Sequence, residues 1–171
     1  MREIKNLIKI LTKPRSFFKD INKTTIKGSM IYILILSILF YIPYLIKIIL
    51  KFKNNELMVE LGYFSLLLQP PVNIWVIIYF ILLLAIIFAG FLLVSLILSL
   101  IIKLISYCIK NKFTFKKVNK IVTYSLFPLV IEQYFVLILY LMKIETINLS
   151  FLFYIYTAIM IVIGLVYSKN K

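Results

Sequence analysis

The sequence predicts an all-α fold: a transmembrane helical bundle of about four spans, with a basic amphipathic helix at its N-terminal end. Three observations predict it. Of the 171 residues, 63% are hydrophobic. The charged residues are 20 Lys/Arg and 6 Asp/Glu, 15% of the chain, where a soluble domain carries about a quarter. These charges are clustered, and the apolar runs between the clusters are too long for a soluble core helix. A soluble enzyme and a disordered chain are both excluded by this composition.

Residues 1–27 read as a cytoplasmic basic segment, ahead of a multi-pass membrane domain over 28–171. Ile4, Leu7, Ile8 and Leu11 recur at i, i+3, i+4 and i+7, while Arg2, Lys5 and Lys9 take other faces. That pattern suits a helix lying on an anionic leaflet. A simple basic tail that only sets topology is the alternative. Pro14 ends the helix, and Phe17, Phe18 and Ile21 offer a second apolar contact. A cleaved signal peptide is not expected, because the basic region is long and no small-residue cleavage site follows a short apolar core.

A span needs about 20 apolar residues to cross about 30 Å of hydrocarbon. Residues 28–50 qualify, with Pro43 inside and Lys47 near enough to the end to snorkel. The run 72–109 would make a helix of about 57 Å, so it holds either one span with an extension or two spans turning near Gly90. Charge asymmetry favours one crossing, over about 74–99, with an interfacial extension carrying Lys103. Eight Lys/Arg precede the first span, which keeps the N-terminus cytoplasmic, and a single crossing then returns Lys110, Lys112, Lys116, Lys117 and Lys120 to the same side. Residues 121–142 and 149–167 are the third and fourth spans. Lys143 and Glu145 fall outside, and both termini are expected in the cytoplasm of a cell-membrane protein. The apolar stretch 57–71, closed by Pro70 and Pro71, reads as a surface-lying or re-entrant piece on the outer side.

The residue inventory excludes most chemistry. Histidine is absent and Cys108 is the single cysteine, so no His/Cys metal cluster, Cys–His nucleophile or intramolecular disulfide exists within this chain. The glycines are scattered, so no phosphate-cradling loop forms. Glu56 and Glu60 follow Lys51 and Lys53 and read as a solvated, charge-balanced face. No catalytic, cofactor or metal residues are expected. The lysines flank hydrophobic spans, which is an orientation signal and not a nucleic-acid face.

A few positions stand out. Pro128 removes a hydrogen bond and frees the carbonyl of Tyr124, so the third span should kink there. Glu132 lies about 16 Å past Ile121 by helical rise, near mid-membrane, where a carboxylate must face the bundle interior, be protonated or be partnered. Gln133 and Tyr134 are its nearest polar neighbours in sequence. It reads either as a proton or cation site at the kink or as an interhelical packing bond, and the single intramembrane acid favours packing. Tyr41 and Tyr44, beside Pro43, suit interfacial anchors. Ala85 with Ala89, and Ser95 with Ser99, allow close helix approach, within the monomer or in a homo-oligomer.

Two stretches carry a family resemblance. Lys13-Pro14-Arg15-Ser16-Phe17-Phe18-Lys19-Asp20-Ile21 stands just before the first span. Lys112-Phe113-Thr114-Phe115-Lys116-Lys117 leads, a few residues on, into Tyr124-Ser125-Leu126-Phe127-Pro128-Leu129. Together they resemble the Yip domain family of Ypt/Rab-interacting membrane proteins, in which a basic loop with a phenylalanine precedes a Tyr-Ser-x-x-Pro opening of the third span. The resemblance follows most of the chain in order and spacing. It implies five spans, against the four seen here, and glycines where Lys110, Asn111 and Lys112 stand. Its eukaryotic members act in vesicle transport and membrane shaping; this short chain looks more like prokaryotic relatives, for which the resemblance supplies no role. From all this the leading expectation is a non-enzymatic protein using its basic cytoplasmic face to engage anionic lipid, a protein partner or a second copy. A small transporter or channel subunit using Glu132 is the rival.

Overall fold

The computed structural model describes residues 2–53, 72–108, 113–144 and 150–168, and within them every regular element is helical. Glu56, Glu60, the segment 57–71, Lys110, Lys112, Glu145 and the C-terminal lysines lie outside the described residues.

Helix α1 (Arg2–Thr12) stops where Pro14 forces the preceding Lys13 out of helical geometry, at φ −143° and ψ 61°. Proline's fixed φ then opens the next helix, α2 (Pro14–Lys19), from its first position. A single 3₁₀ turn (Ile21–Lys23) and an extended Thr24 lead to Thr25, whose hydroxyl accepts the Gly28 amide at 2.9 Å and caps α3 (Ile26–Lys53).

Helix α4 (Val72–Cys108) runs unbroken through Gly90 for 37 residues, about 55 Å. Apolar side chains on every face give it no reason to reverse, so the chain does not turn back near Gly90. The extension beyond residue 99 continues the same helix.

Thr114 caps α5 (Phe115–Ser125), which therefore starts well before residue 121 and takes Lys116, Lys117 and Lys120 into its first turns. The expected kink is a full break. Leu126 separates α5 from α6 (Phe127–Leu141), and Pro128 takes the second position of the new helix, where a missing N–H costs α6 no bond of its own. Lys143 closes α6 in the left-handed region at φ 55°. Helix α7 (Ser150–Ser168) is the last described helix.

Among the described residues, four stretches are long and apolar enough to cross a membrane: Ile26–Lys47, Ile78–Cys108, Phe115–Leu141 and Ser150–Ser168. The α5–α6 span is the hub, 56% buried over its most apolar stretch, against 11% for α4 at the edge. Helix α3 flanks α4, α5 and α6, while α7 packs on α5, α6 and α2. The core gathers Phe17, Phe18, Ile21, Tyr32, Ile33, Leu36, Ile121, Tyr124, Leu126, Val130 and Met160. Phenylalanines that precede the first span are thus as deeply buried as any residue within it.

Hydrocarbon supplies no hydrophobic drive between helices in a bilayer, so close contact and polar bonds must hold the edge helix. Ser95 and Thr123 share a hydrogen bond at 2.7 Å, Asn119 donates to Ser99 at 3.2 Å, and the Lys103 ammonium donates to the Phe113 carbonyl. Each interhelical bond of this kind contributes about 0.5–2 kcal/mol in a membrane. Ser95 and Ser99 therefore serve the interior of the monomer. Ala85 and Ala89 face outward.

Candidate functional site

The Tyr-Ser-x-x-Pro motif is where the N-terminal elements meet the bundle. Proline at 128 has no amide to offer the carbonyl four residues back, on Tyr124. The Tyr32 hydroxyl of α3 takes that place, donating to the Tyr124 carbonyl at 3.4 Å. The Tyr124 ring packs at 4.4 Å from Tyr32 and edge-on at 5.0 Å from Phe17. Its own hydroxyl donates to Oε2 of Glu3 at 2.8 Å, and Asn6 Nδ2 donates to the same oxygen at 2.9 Å. Ser125 turns back onto the Ile121 carbonyl at 2.8 Å.

Two glycines make this junction close. A Cβ at Gly28 would stand 2.7 Å from Oε1 of Glu3. A Cβ at Gly164 in α7 would collide with the Ile121 side chain and lie 3.1 Å from the Phe18 ring. Sequence reasoning singled out Tyr124, Ser125 and Pro128 as a kink and read residues 1–27 as a surface segment. It did not join them. Glu3 was the missed residue, and the available signal was a carboxylate in the first turn of an otherwise basic helix.

Helix α1 divides into three sectors. At about 100° per residue, Glu3, Asn6, Leu7 and Ile10 turn toward the bundle, with Ile10 only 1% exposed. Ile4, Ile8 and Leu11 form a bare apolar stripe, 55%, 54% and 46% exposed. Lys5, Lys9 and Thr12 take the third sector. Leu7, expected on the outer apolar face, belongs to the inner one. Asp20 gathers Lys9 at 3.4 Å and Lys23 at 3.0 Å. The Lys23 ammonium, ahead of Lys9, holds the Asp20 carboxyl below the usual carboxylate range.

The lysines assigned to a basic face divide in the same way. Lys116 is exposed. Lys117 donates to the Ser168 carbonyl at the end of α7, and Lys120, buried, donates to the Thr24 carbonyl ahead of α3. The Lys117 ammonium sits at the carbonyl end of α7, a place that favours cations, while Lys120 ties α5 to the connection between the 3₁₀ turn and α3.

Glu132 is buried in α6, and the Ser150 hydroxyl of α7 donates to it. Gln133 and Tyr134 are half-buried and make no bond to it. Because α5 begins at Phe115, Glu132 lies about 26 Å along the broken span, level with the first residue of α7 and far from the basic end. Near Pro43, the Tyr41 hydroxyl is buried without a partner among the described residues, its ring 6.5 Å from Phe80; Tyr44 is exposed. Among the described residues no group of three or more His, Cys, Asp or Glu is placed to hold a metal ion.

No curated protein and no solved structure matches the chain. The Yip1 domain matches residues 8–170, from within α1 past the end of α7, a stretch that takes in the Phe17–Phe18 dock and the broken Tyr-Ser-x-x-Pro span. The chain belongs to the Yip1 domain family.

Proposed function

We propose that this multi-pass membrane protein is non-enzymatic and acts through lipid and protein contacts at its basic end, which faces the cytoplasm of a cell membrane with both termini on that side. The observation that carries the reading is the three-way division of α1. One sector docks on the bundle, one apolar stripe of Ile4, Ile8 and Leu11 is bare, and one sector carries Lys5 and Lys9. A helix held against a membrane bundle with such a stripe rests in the boundary between headgroups and acyl chains, and its lysines meet anionic lipid. Membership of the Yip1 family, which is not known for catalysis, supports the non-enzymatic reading. Lys13, Arg15, Lys19 and Lys116 are further exposed cations of these segments. A protein partner or a second copy would bind there too.

Cys108 is the one thiol, so a Cys108→Ser background allows a single probe to be placed at will. An environment-sensitive dye on Ile8→Cys should report an apolar setting in anionic vesicles and be quenched by lipid-borne quenchers. The same dye on Lys5→Cys should report water. Water at both positions would sink the proposal.

A second reading, a small transporter or channel subunit, rests on Glu132. Its bond to Ser150 at the start of α7 favours an interhelical tie over a conducting site. Proton- or ion-dependent flux lost in Glu132→Ala and kept in a packing-neutral control would restore the transporter.

A further inference from the structure

The close packing at Gly164 determines what stands one turn beyond it. There Phe18 of α2 and Ile121 of α5 both press on α7. Three residues back along α2 is Arg15, and four back along α5 is Lys117. Onward in α7 come Tyr167 and Ser168. All of them converge. The Arg15 guanidinium carbon lies 5.5 Å from the centre of the Tyr167 ring, and the Lys117 ammonium donates to the Ser168 carbonyl.

Cations from two different elements therefore flank the last described turn of α7, and neither has a carboxylate partner among the described residues. The ion pairs there belong to Asp20 with Lys9 and Lys23. Lys117 uses one of three ammonium donors on Ser168. Arg15 is exposed, holds its cation over the aromatic ring and has no hydrogen-bond acceptor among the described residues, so the five N–H groups at its edge remain available. A single lysine suffices to neutralise the carbonyl end of α7. The second cation, pre-oriented on a ring, goes beyond that need.

A planar guanidinium fork matches an acceptor with two oxygens on one centre, and a tyrosine at the end of a span marks the depth of lipid headgroups. We infer that Arg15 and Lys117 form a binding site for the phosphate of an anionic lipid headgroup, seated against Tyr167 at the end of α7. The inference rests on the reading of the basic end as the lipid-engaging face, and it adds a defined site to what would otherwise be diffuse charge.

The test uses the whole protein purified in detergent, with thermal unfolding followed while phosphatidylglycerol or phosphatidylcholine is titrated in. Phosphatidylglycerol should stabilise the protein saturably and phosphatidylcholine should not. Arg15→Gln should raise the half-saturating phosphatidylglycerol concentration about tenfold, the effect of losing one forked, charge-assisted contact. Arg15→Lys, which keeps the charge and loses the fork, should fall between. Lys5→Gln on the outer sector of α1 should shift it by less than about fivefold, the effect of one surface charge. Equal shifts for Arg15→Gln and Lys5→Gln would overturn the site and leave the basic-face reading standing. Indifference of every form to phosphatidylglycerol would overturn both. Equal stabilisation by inorganic phosphate without lipid would overturn the headgroup assignment.

Discussion

Tyr124 shows how one side chain takes three jobs because a proline stands four residues on. Its carbonyl is freed by Pro128 and met by Tyr32, its ring receives Phe17, and its hydroxyl holds Glu3. Tyr124→Phe keeps the first two and removes the third. It should lower stability by about 1–2 kcal/mol, read as a fall in the thermal midpoint in detergent. Glu3→Ala removes the acceptor, together with the Asn6 bond to it, and should lose at least as much; the double variant should lose little more than Glu3→Ala alone, because the Tyr124 bond is then already gone. Fully additive losses would mean that Glu3 and Tyr124 act apart. Asp20 offers a pH test at the same scale. Lys23 and Lys9 depress its folded-state pKa, so its contribution is present above the unfolded value near 3.9 and is lost as pH falls through the lower folded value. The midpoint difference between the native protein and Asp20→Asn should therefore be full at pH 7 and vanish in strong acid. A difference unchanged down to that range would contradict the pairing.

At the scale of elements, the break in the third span couples α3 to α5. Pro128→Ala would let residue 128 donate to the Tyr124 carbonyl and allow α5 and α6 to join. Tyr32→Phe should then matter less in that background than in the native chain, a coupling of about 0.5–1.5 kcal/mol by double-mutant cycle. Glycine positions separate in the same manner. Gly164→Ala places a methyl group into Ile121 and Phe18 and should destabilise by about 1–3 kcal/mol. Gly90→Ala meets nothing within 4 Å and should be neutral, or stabilise α4 by up to about 1 kcal/mol. Similar effects at both sites, by thermal unfolding, would refute this contrast.

What the sequence made legible follows from the kind of interaction involved. Span composition is a local property, and Pro128 announces its own effect on Tyr124, so the helical class and the interruption were readable. The docking of Phe17 and Phe18 was readable only as a second apolar contact, because nothing local says whether an apolar pair meets lipid or protein. Lys117 and Lys120 look like loop charges in one dimension. They become bonding groups once the carbonyl ends of α7 and of the 3₁₀ turn come near, which is a fact of tertiary packing. The start of the third span at Phe115 was not readable from hydropathy, because Thr114, a helix cap, stands ahead of a lysine-rich stretch.

At the scale of the whole molecule, α4 is one helix from Val72 to Cys108, so the basic end of α5 lies on the side opposite residue 72. On the proposed orientation, with the N-terminus in the cytoplasm, Cys108 belongs on that side as well. The thiol is free and exposed, so an impermeant maleimide should label it in inside-out vesicles and not in intact cells. Labelling of intact cells would reverse the orientation.

The contact of Phe18 with Gly164 also dictates an order of events during biosynthesis. Phe17 and Phe18 leave the ribosome about 150 residues before the α7 surface that covers them. Until α7 inserts, the two rings have no finished seat and α2 has no partner for its inner face. A nascent chain stalled or cut before residue 164 would thus display an apolar patch at its basic end, the feature by which chaperones and proteases recognise incomplete products. The seal between these two elements forms only once α7 is in place.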